Sequence, residues 1–410
     1  MPGSPRILEL THNLPRFPGD FSGSFIDALC QALVQLGGEV TVLAPHDRAY
    51  LSGMTRAYSL HTFRYAWPAS LQTVGYMRSM VGDLRLRPSS VLVTPALLAA
   101  GIKACTRLVR HQRPDVLHAH WLLPNGFIAA VTSRLTGVKL AISLPGSDLL
   151  VARSNPLARA FARFSLAQAD LVTANSAELQ QVAYGLGARR EQFDLIIYGV
   201  DPSALQPDPA SGSALRQELA LSPSHFVVLA VGRLVPKKGF RYLVEAMPGL
   251  LATGVDAYLL LVGEGSERQA LEQLAAGLRL GRRVRFIGSV PRGRISAYYN
   301  AADVLCMPSV TEPEDGLNVC VVDAMACGRP IVATTVAGNP LVVREGVNGF
   351  LVPERRADLL ASRLADIAAD RDLAARFGAA SRKMAEQEFS WRALAGRYLN
   401  HFRRLATASS

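Results

Sequence analysis

The sequence predicts an α/β protein built from two parallel-sheet domains. Three observations carry that expectation. Strand-like apolar runs alternate with helical patterns through both halves. The chain has 410 residues, more than one core commonly serves. A Pro-, Ser- and Gly-rich stretch, DPSALQPDPASGSALRQELALSP from Asp201 to Pro223, parts two such series and reads as a linker with room for one short helix.

In chain order, Arg6–Leu10 reads as the first strand. A long loop runs to Gly23, a helix follows over 24–36, and Gly37 and Gly38 stop it before a strand over 39–44. Further strands are expected at 91–94, 116–119, 140–144, 171–174 and 195–197. After the linker come a strand at 226–231, a glycine-rich loop, a helix over 240–251, and strands at 258–262, 284–287, 304–307 and 331–334. Two Rossmann-like domains suit this order better than one large sheet, and their ligands lie beyond the carboxyl ends of the strands.

Hydrophobic residues make up 49% and charged residues 19%, which argues against a disordered or fibrous chain. No uninterrupted run of about 18 apolar residues occurs, so a spanning helix is not expected. MPGSPRILEL lacks an apolar signal core, which points to the cytoplasm. Five cysteines, Cys30, Cys105, Cys306, Cys320 and Cys327, form no CxxC pair and suit packing in a reduced compartment better than disulfides or zinc.

The net charge of +11 is unevenly spread. From Arg48 to Arg113 there are ten Lys or Arg and one acid, Asp83. Tyr50, Tyr58, Phe63, Tyr65, Trp67 and Tyr76 lie among them, a mixture suited to an anionic membrane surface or an acidic acceptor. A solvated basic face is the alternative, and no nucleic-acid module accompanies the charge.

Four segments offer chemistry. PSVTEPEDGLNVCVVDAMACGRPIVAT, from Pro308 to Thr334, sets Asp315 at the start of a helical pattern and Asp323 within it. Carboxylates in that arrangement accept paired hydrogen bonds from sugar hydroxyls; the alternative is an acid complementing the helix dipole and another on a solvated face. GRLVPKKG puts Arg233 and Lys238 in a loop leading into a helix, a plausible diphosphate grip. It is not a Walker loop, and GxGxxG is absent. VLHAHWLLPNG places His118 and His120 on one side of a strand end; no third ligand of zinc spacing accompanies them, so no metal is expected. PRFPGDFSG, before the first helix, offers backbone NH groups to a phosphate or carbonyl, or is a plain turn.

In this order the segments resemble the family-4 retaining glycosyltransferases of the GT-B fold, over nearly the whole chain. The resemblance implies two Rossmann-like domains facing across a cleft, with a C-terminal helix over 391–405 returning to the first. It implies an acceptor-side domain over 1–203, with 388–410 packed back onto it, and a donor-binding domain over 204–387. PGDFSGSF looks like the family's glycine loop, with Gly19, Ser22 and Gly23 on the acceptor or loop side and Gly23 also toward the donor. His120 would contact the donor sugar, with His118 beside it on the acceptor or loop side. Arg233 and Lys238 would bind the donor diphosphate in place of a metal ion. VGEG, with Gly263 and Glu264, resembles the segment beside the nucleotide. Gly316, Leu317, Asn318 and Val319 would complete the donor site between Asp315, toward the sugar, and Asp323, toward the ribose.

The chain departs from the family pattern in two places. Aspartates replace both glutamates of the Glu-x7-Glu signature, each shorter in reach by one C–C bond of roughly 1.5 Å. Glu312 and Glu314 are therefore alternatives for the first role. LPGSD, carrying Asp148 on the acceptor side, has Pro145 where the family often has histidine. The implied activity is transfer of a sugar, with retention, from a nucleotide-diphosphate sugar to a hydroxyl of a saccharide or lipid-linked acceptor, without cofactor or metal. A sugar-nucleotide epimerase of the same fold and a non-catalytic sugar-nucleotide-binding subunit remain the alternatives.

Overall fold

The computed structural model describes residues 4–50, 54–76, 80–81, 85–86, 88–312 and 315–407. The chain forms two compact units, Met1–Ile196 with Trp391–Ser410, and Ile197–Ser390.

Unit 1 is built on β1 (Arg6–Leu10), β2 (Glu39–Pro45) and β3 (Ser59–Phe63), a short antiparallel ribbon of β4 (Met80–Val81) and β5 (Arg85–Leu86), then β6 (Val116–His120), β7 (Lys139–Leu144), β8 (Leu171–Ala174) and β9 (Phe193–Leu195). Apart from the ribbon these strands form one sheet in the order β3-β2-β1-β6-β7-β8-β9, parallel throughout. The direction of strand order reverses between β1 and β6, which leaves a crevice at their carboxyl ends. Both strands are covered on two faces, as parallel sheets require, and their interiors are buried.

The helices of this unit are α1 (Ser24–Gln35), α2 (Pro88–Gln112), α3 (Phe127–Thr136), α4 (Ser147–Ser154), α5 (Pro156–Gln168) and α6 (Ala177–Gly185). The strand expected at 91–94 is instead the first part of α2. Val91, Val93 and Thr94 favour a strand locally, but Leu97, Gly101, Cys105 and Val109 recur every fourth residue and are buried, so packing along one helical face decides the conformation. At Gly101 an added Cβ would sit 2.7 Å from Ile128 Cδ1, which shows how closely α2 approaches α3. Within α2, Leu92–Gln112 is long and apolar enough to cross a membrane by length and composition, with a mean hydropathy of 1.4. Counting uninterrupted apolar residues misses it, because Thr94, Pro95, Lys103 and Thr106 break the run.

Unit 2 contains α7 (Pro209–Glu218), β10 (Phe226–Val231), α8 (Phe240–Ala252), β11 (Ala257–Val262), α9 (Arg268–Gly277), β12 (Val284–Gly288), α10 (Arg292–Ala301), β13 (Val304–Met307), α11 (Val319–Ala326), β14 (Ile331–Thr334), β15 (Gly349–Val352), α12 (Ala357–Ala369) and α13 (Arg371–Gln387). Its parallel sheet runs β12-β11-β10-β13-β14-β15, with the reversal between β10 and β13.

The chain then returns to unit 1 through α14 (Trp391–Thr407), which packs on α1 and buries Leu394, Tyr398, Leu399 and Phe402. Asp194, at the far edge of the unit 1 sheet, anchors α14 through Arg397 at 3.0 Å and His401 at 2.8 Å. All five cysteines are buried and unbridged.

Candidate active site

In unit 1 the β1–β6 pairing sets Glu9 opposite His118. His118 and His120 share a side of β6, their ring centroids 4.4 Å apart. They do different things. His118 is fully buried, with Nε2 2.8 Å from Ser143 Oγ and its ring against Tyr398 and Phe402 of α14. His120, 4% exposed, places Nε2 2.8 Å from Glu9 Oε2. Burial works against ionisation of Glu9, but the close approach of His118 and the hydrogen bond to His120 override it and lower its pKa to about 2. Burial lowers that of His120, with His118 adding to the effect and Glu9 opposing it.

The glycine loop is tied to the end of β1. Ser22 Oγ donates to Asn13 Oδ1 at 3.2 Å, and an added Cβ at Gly23 would lie 2.2 Å from the Asn13 carbonyl oxygen. Gly23 has φ +65° and Gly19 φ +86°, conformations that favour glycine. Asp20 folds the loop inward by accepting from Arg16 Nε at 2.6 Å and Ser22 N at 3.1 Å. Asp148 does not stand open to a ligand: it is buried, and Oδ2 accepts from Leu122 N just beyond β6. Burial raises its pKa to about 6, against the backbone hydrogen bonds.

His12 and Asn125 belong to the same crevice, although neither was among the residues expected at the site. Asn125 Nδ2 donates to His12 Nδ1 at 2.9 Å and to the His120 carbonyl at 2.7 Å, and His12 lies against Trp121 with centroids 4.5 Å apart. Burial lowers the His12 pKa to about 4, so it is neutral near pH 7.

In unit 2 the reversal between β10 and β13 brings two motifs together. Gly239 caps the N-terminus of α8 at φ +65°, where an added Cβ would meet the Pro308 carbonyl oxygen at 1.9 Å. Val310 N donates to the Lys237 carbonyl at 3.0 Å. Across this seam Asp315 accepts from Lys237 Nζ at 3.2 Å and Lys238 Nζ at 2.6 Å, and Lys238 also donates to Asn318 Oδ1. Asn318 is held in turn by Ser309, through Nδ2 to Oγ at 2.9 Å. Burial would raise the pKa of Asp315, but the charges of Lys238 and Lys237 keep it below the ordinary carboxylate value.

Asp315 is therefore the counter-ion of the lysine pair. It precedes α11, whose N-cap is Asn318, so neither the expected place at the helix start nor the dipole alternative describes it. Lys237, half of this pair, was not among the expected site residues.

Asp323 sits apart from that cluster, within α11 and largely buried, with Tyr299 Oη donating to it at 3.5 Å. Burial raises its pKa to about 7, moderated by the charge of Arg292 and by Tyr299. Arg233 is exposed at the end of β10, and Leu317 is buried while Val319 is half-exposed. Gly263 packs so tightly that an added Cβ would meet the Gly232 carbonyl oxygen at 1.9 Å. Glu264, before α9, pairs with Arg268, the first residue of that helix. Glu312 is exposed and paired with Arg355 at 2.7 Å. Glu314 lies outside the described residues.

The unit 2 crevice thus holds cations in excess of its acid at the positive end of a helix, a setting that stabilises a diphosphate. An ammonium has three protons; Lys238 engages two, with Asp315 and Asn318.

Solved structures share this architecture. Sucrose-phosphate synthase from Thermosynechococcus elongatus aligns with a TM-score of 0.77 at 22% identity, covering 99% of this chain and 100% of its own. The Anabaena protein HepE, in complex with UDP, aligns at 0.71 and 23%, covering 97% and 100%. The fold is accordingly that of the GT-B glycosyltransferases.

The chain belongs to the glycosyl transferases group 1 family, which residues 213–384 match, while residues 22–199 match the glycosyl transferase 4-like domain. A GDP-mannose-dependent alpha-(1-6)-phosphatidylinositol monomannoside mannosyltransferase from Mycolicibacterium smegmatis is 32% identical over 77% of this chain and 91% of its own length. N-acetyl-alpha-D-glucosaminyl L-malate synthase from Bacillus anthracis is 24% identical over 84% and 88%. The protein is a retaining glycosyltransferase that uses a nucleotide-sugar donor.

Proposed function

We propose that this glycosyltransferase holds its donor diphosphate at the Arg233–Lys238 loop and passes the sugar to a saccharide or lipid-linked hydroxyl without a metal ion. The observation that carries the reading is the lysine pair of unit 2, held by Asp315 and Asn318 beside the N-terminus of α8. As the glycosidic bond breaks, negative charge grows on the departing diphosphate and positive charge on the sugar ring. Lys238 and Arg233 stabilise the first. Asp323 accepts hydrogen bonds from the ribose, and His120 contacts the sugar. The leaving phosphate oxygen assists removal of the acceptor proton on the same face.

A screen of nucleotide sugars for thermal stabilisation tests the donor assignment. A ligand at a hundredfold excess over Kd stabilises by about 2.7 kcal/mol, and the donor that does so should be consumed only when an acceptor hydroxyl is supplied. Isomerisation of the nucleotide sugar without acceptor would assign an epimerase instead.

The acceptor is presented at an anionic membrane surface. Arg48, Arg64, Lys103, Arg107, Arg110 and Arg113 are exposed, whereas Arg56 turns inward to Tyr58 and Asp27; Arg78, Asp83 and Arg87 lie outside the described residues. Trp67, Leu71 and Leu92 are 77%, 48% and 82% exposed. Ser90 Oγ, 3.4 Å from the Thr73 carbonyl, joins the start of α2 to the loop that carries Trp67 and Leu71. Exposed basic residues along α2 and in the segment before it, with exposed apolar ones near the start of α2, suit the headgroup boundary of a bilayer. The lipid in the name of the M. smegmatis relative supports the same acceptor class. Vesicles rich in anionic lipid should sediment the protein at low salt and release it as salt rises. Equal binding after Arg107, Arg110 and Arg113 are changed to Glu would remove this face from the interaction.

A further inference from the structure

Glu9 is a carboxylate with 0% exposure in a strand, RILEL, whose other interior residues are apolar. Burying an ion there costs several kcal/mol unless partners satisfy it, and an apolar side chain would fill the space without that cost. What the carboxylate adds lies in what it holds. Oε2 receives the hydrogen bond of His120 Nε2 at 2.8 Å. His118 Nδ1 is also 2.8 Å from that oxygen but out of line for a hydrogen bond, so His120 has the directional contact. Among the described residues, Nδ1 of His120 makes no hydrogen bond, and the ring is the less buried of the two.

We propose that Glu9 is a positioning residue for His120, holding its imidazole as the Nε2–H tautomer so that Nδ1 accepts a hydrogen bond from a hydroxyl of the donor sugar. The inference rests on the reading of His120 as a donor-sugar contact. A neutral imidazole accepts at one nitrogen only, and the partner of the other nitrogen decides which. Ser143 performs the corresponding service for His118: its hydroxyl lies 2.8 Å from Nε2, while Thr173 Oγ1 at 2.7 Å and Tyr398 Oη at 3.1 Å complete its own contacts. His118 is thereby committed to the interior and His120 to the crevice.

A structural role for this cluster would make Glu9→Leu and Tyr398→Phe behave alike. A positioning role separates them. The experiment is long-range proton–nitrogen NMR of the full chain with labelled histidine, the His120 signals assigned by His120→Gln, beside steady-state kinetics with the donor found by the thermal screen. The wild type should show His120 protonated at Nε2. Glu9→Leu should give a mixture of tautomers and a kcat about a hundredfold lower, the scale of a mispositioned contact, with KM for the donor within about threefold. Glu9→Gln, which keeps an acceptor oxygen, should restore the wild-type tautomer and most of kcat, and Tyr398→Phe should leave His120 unchanged.

Protonation of His120 at Nδ1 in the wild type overturns the proposal, and so does a folded Glu9→Leu with unchanged spectrum and kcat. Glu9, His118 and His120 also bring three ligand-type atoms within 4.8 Å of one another, so a His120 spectrum altered by a chelator would reassign them to a metal and overturn it as well. Should Glu9→Leu fail to fold, the wild-type spectrum and Glu9→Gln decide. A wild-type protein that turns over no nucleotide sugar, yet shows the expected tautomer, would sink the donor reading and leave the Glu9–His120 assignment standing.

Discussion

The crevices of the two units share a topological origin and differ in electrostatics. In unit 1 the switch between β1 and β6 gathers Glu9, His118 and His120, all buried, with one hydrogen bond among them, between Glu9 and His120. In unit 2 the switch between β10 and β13 gathers Lys237, Lys238 and Asp315, which are part-buried and carry more positive than negative charge. One fold can thus build a buried, shape-defining site and a cationic, charge-supplying one from equivalent places. The first arrangement suits a polyhydroxyl ring, which needs aimed acceptors and donors. The second suits a leaving diphosphate, which needs charge.

The contrast breaks most visibly at Lys238. Lys238→Ala should lower kcat by about 10²–10³, the scale seen when a preorganised stabilising donor is removed. A rate within about threefold of wild type would take the lysine pair out of the reaction. Gly239→Ala comes next and acts on folding. A Cβ 1.9 Å from the Pro308 carbonyl forces backbone apart at a residue with φ +65°, so a loss of about 2–4 kcal/mol is expected in urea unfolding.

The smallest effect falls on Asp323. Its folded pKa of about 7 is above the ordinary 3.8, so its contribution to stability is complete below 3.8 and lost as pH rises through 7. Donor binding to the ionised carboxylate has the opposite slope and should tighten as pH rises through that window. Asp323→Asn should weaken the donor Kd about tenfold at pH 8 and flatten its pH dependence, since a charge-assisted hydrogen bond becomes a neutral one. Calorimetric titration across pH 5.5–8.5 checks this; the same slope in the variant would place the titrating group elsewhere.

Much of the fold was legible because parallel strands buried on both faces read as apolar runs, as in LVTA, FVVLAV and IVAT. The edges were not. β3, SLHTF, is largely exposed and mixed in character, and β15, GFLV, is four residues that gain strand identity only beside β14. At the candidate site, sequence motifs picked out residues that each fold unit gathers at its strand ends, but not the hydrogen bonds among them. The contact of Asp315 with Lys238 was not legible, because a carboxylate in a polar loop says nothing of a lysine 77 positions away in sequence. Glu9 gave a signal, a lone charge inside an apolar strand, and its meaning appeared only once β6 lay alongside.

The return of α14 to unit 1 bears on the order in which the molecule can be made. Tyr398 and Phe402 cover His118, and Arg397 and His401 close on Asp194, yet all four are synthesised after every residue of unit 2. While the ribosome is still extending unit 2, the His118 cluster stands without its final layer. Completion of the first unit is thereby deferred until the second has been translated, so a nascent chain stalled before Trp391 carries an open polar core that chaperones and proteases can engage.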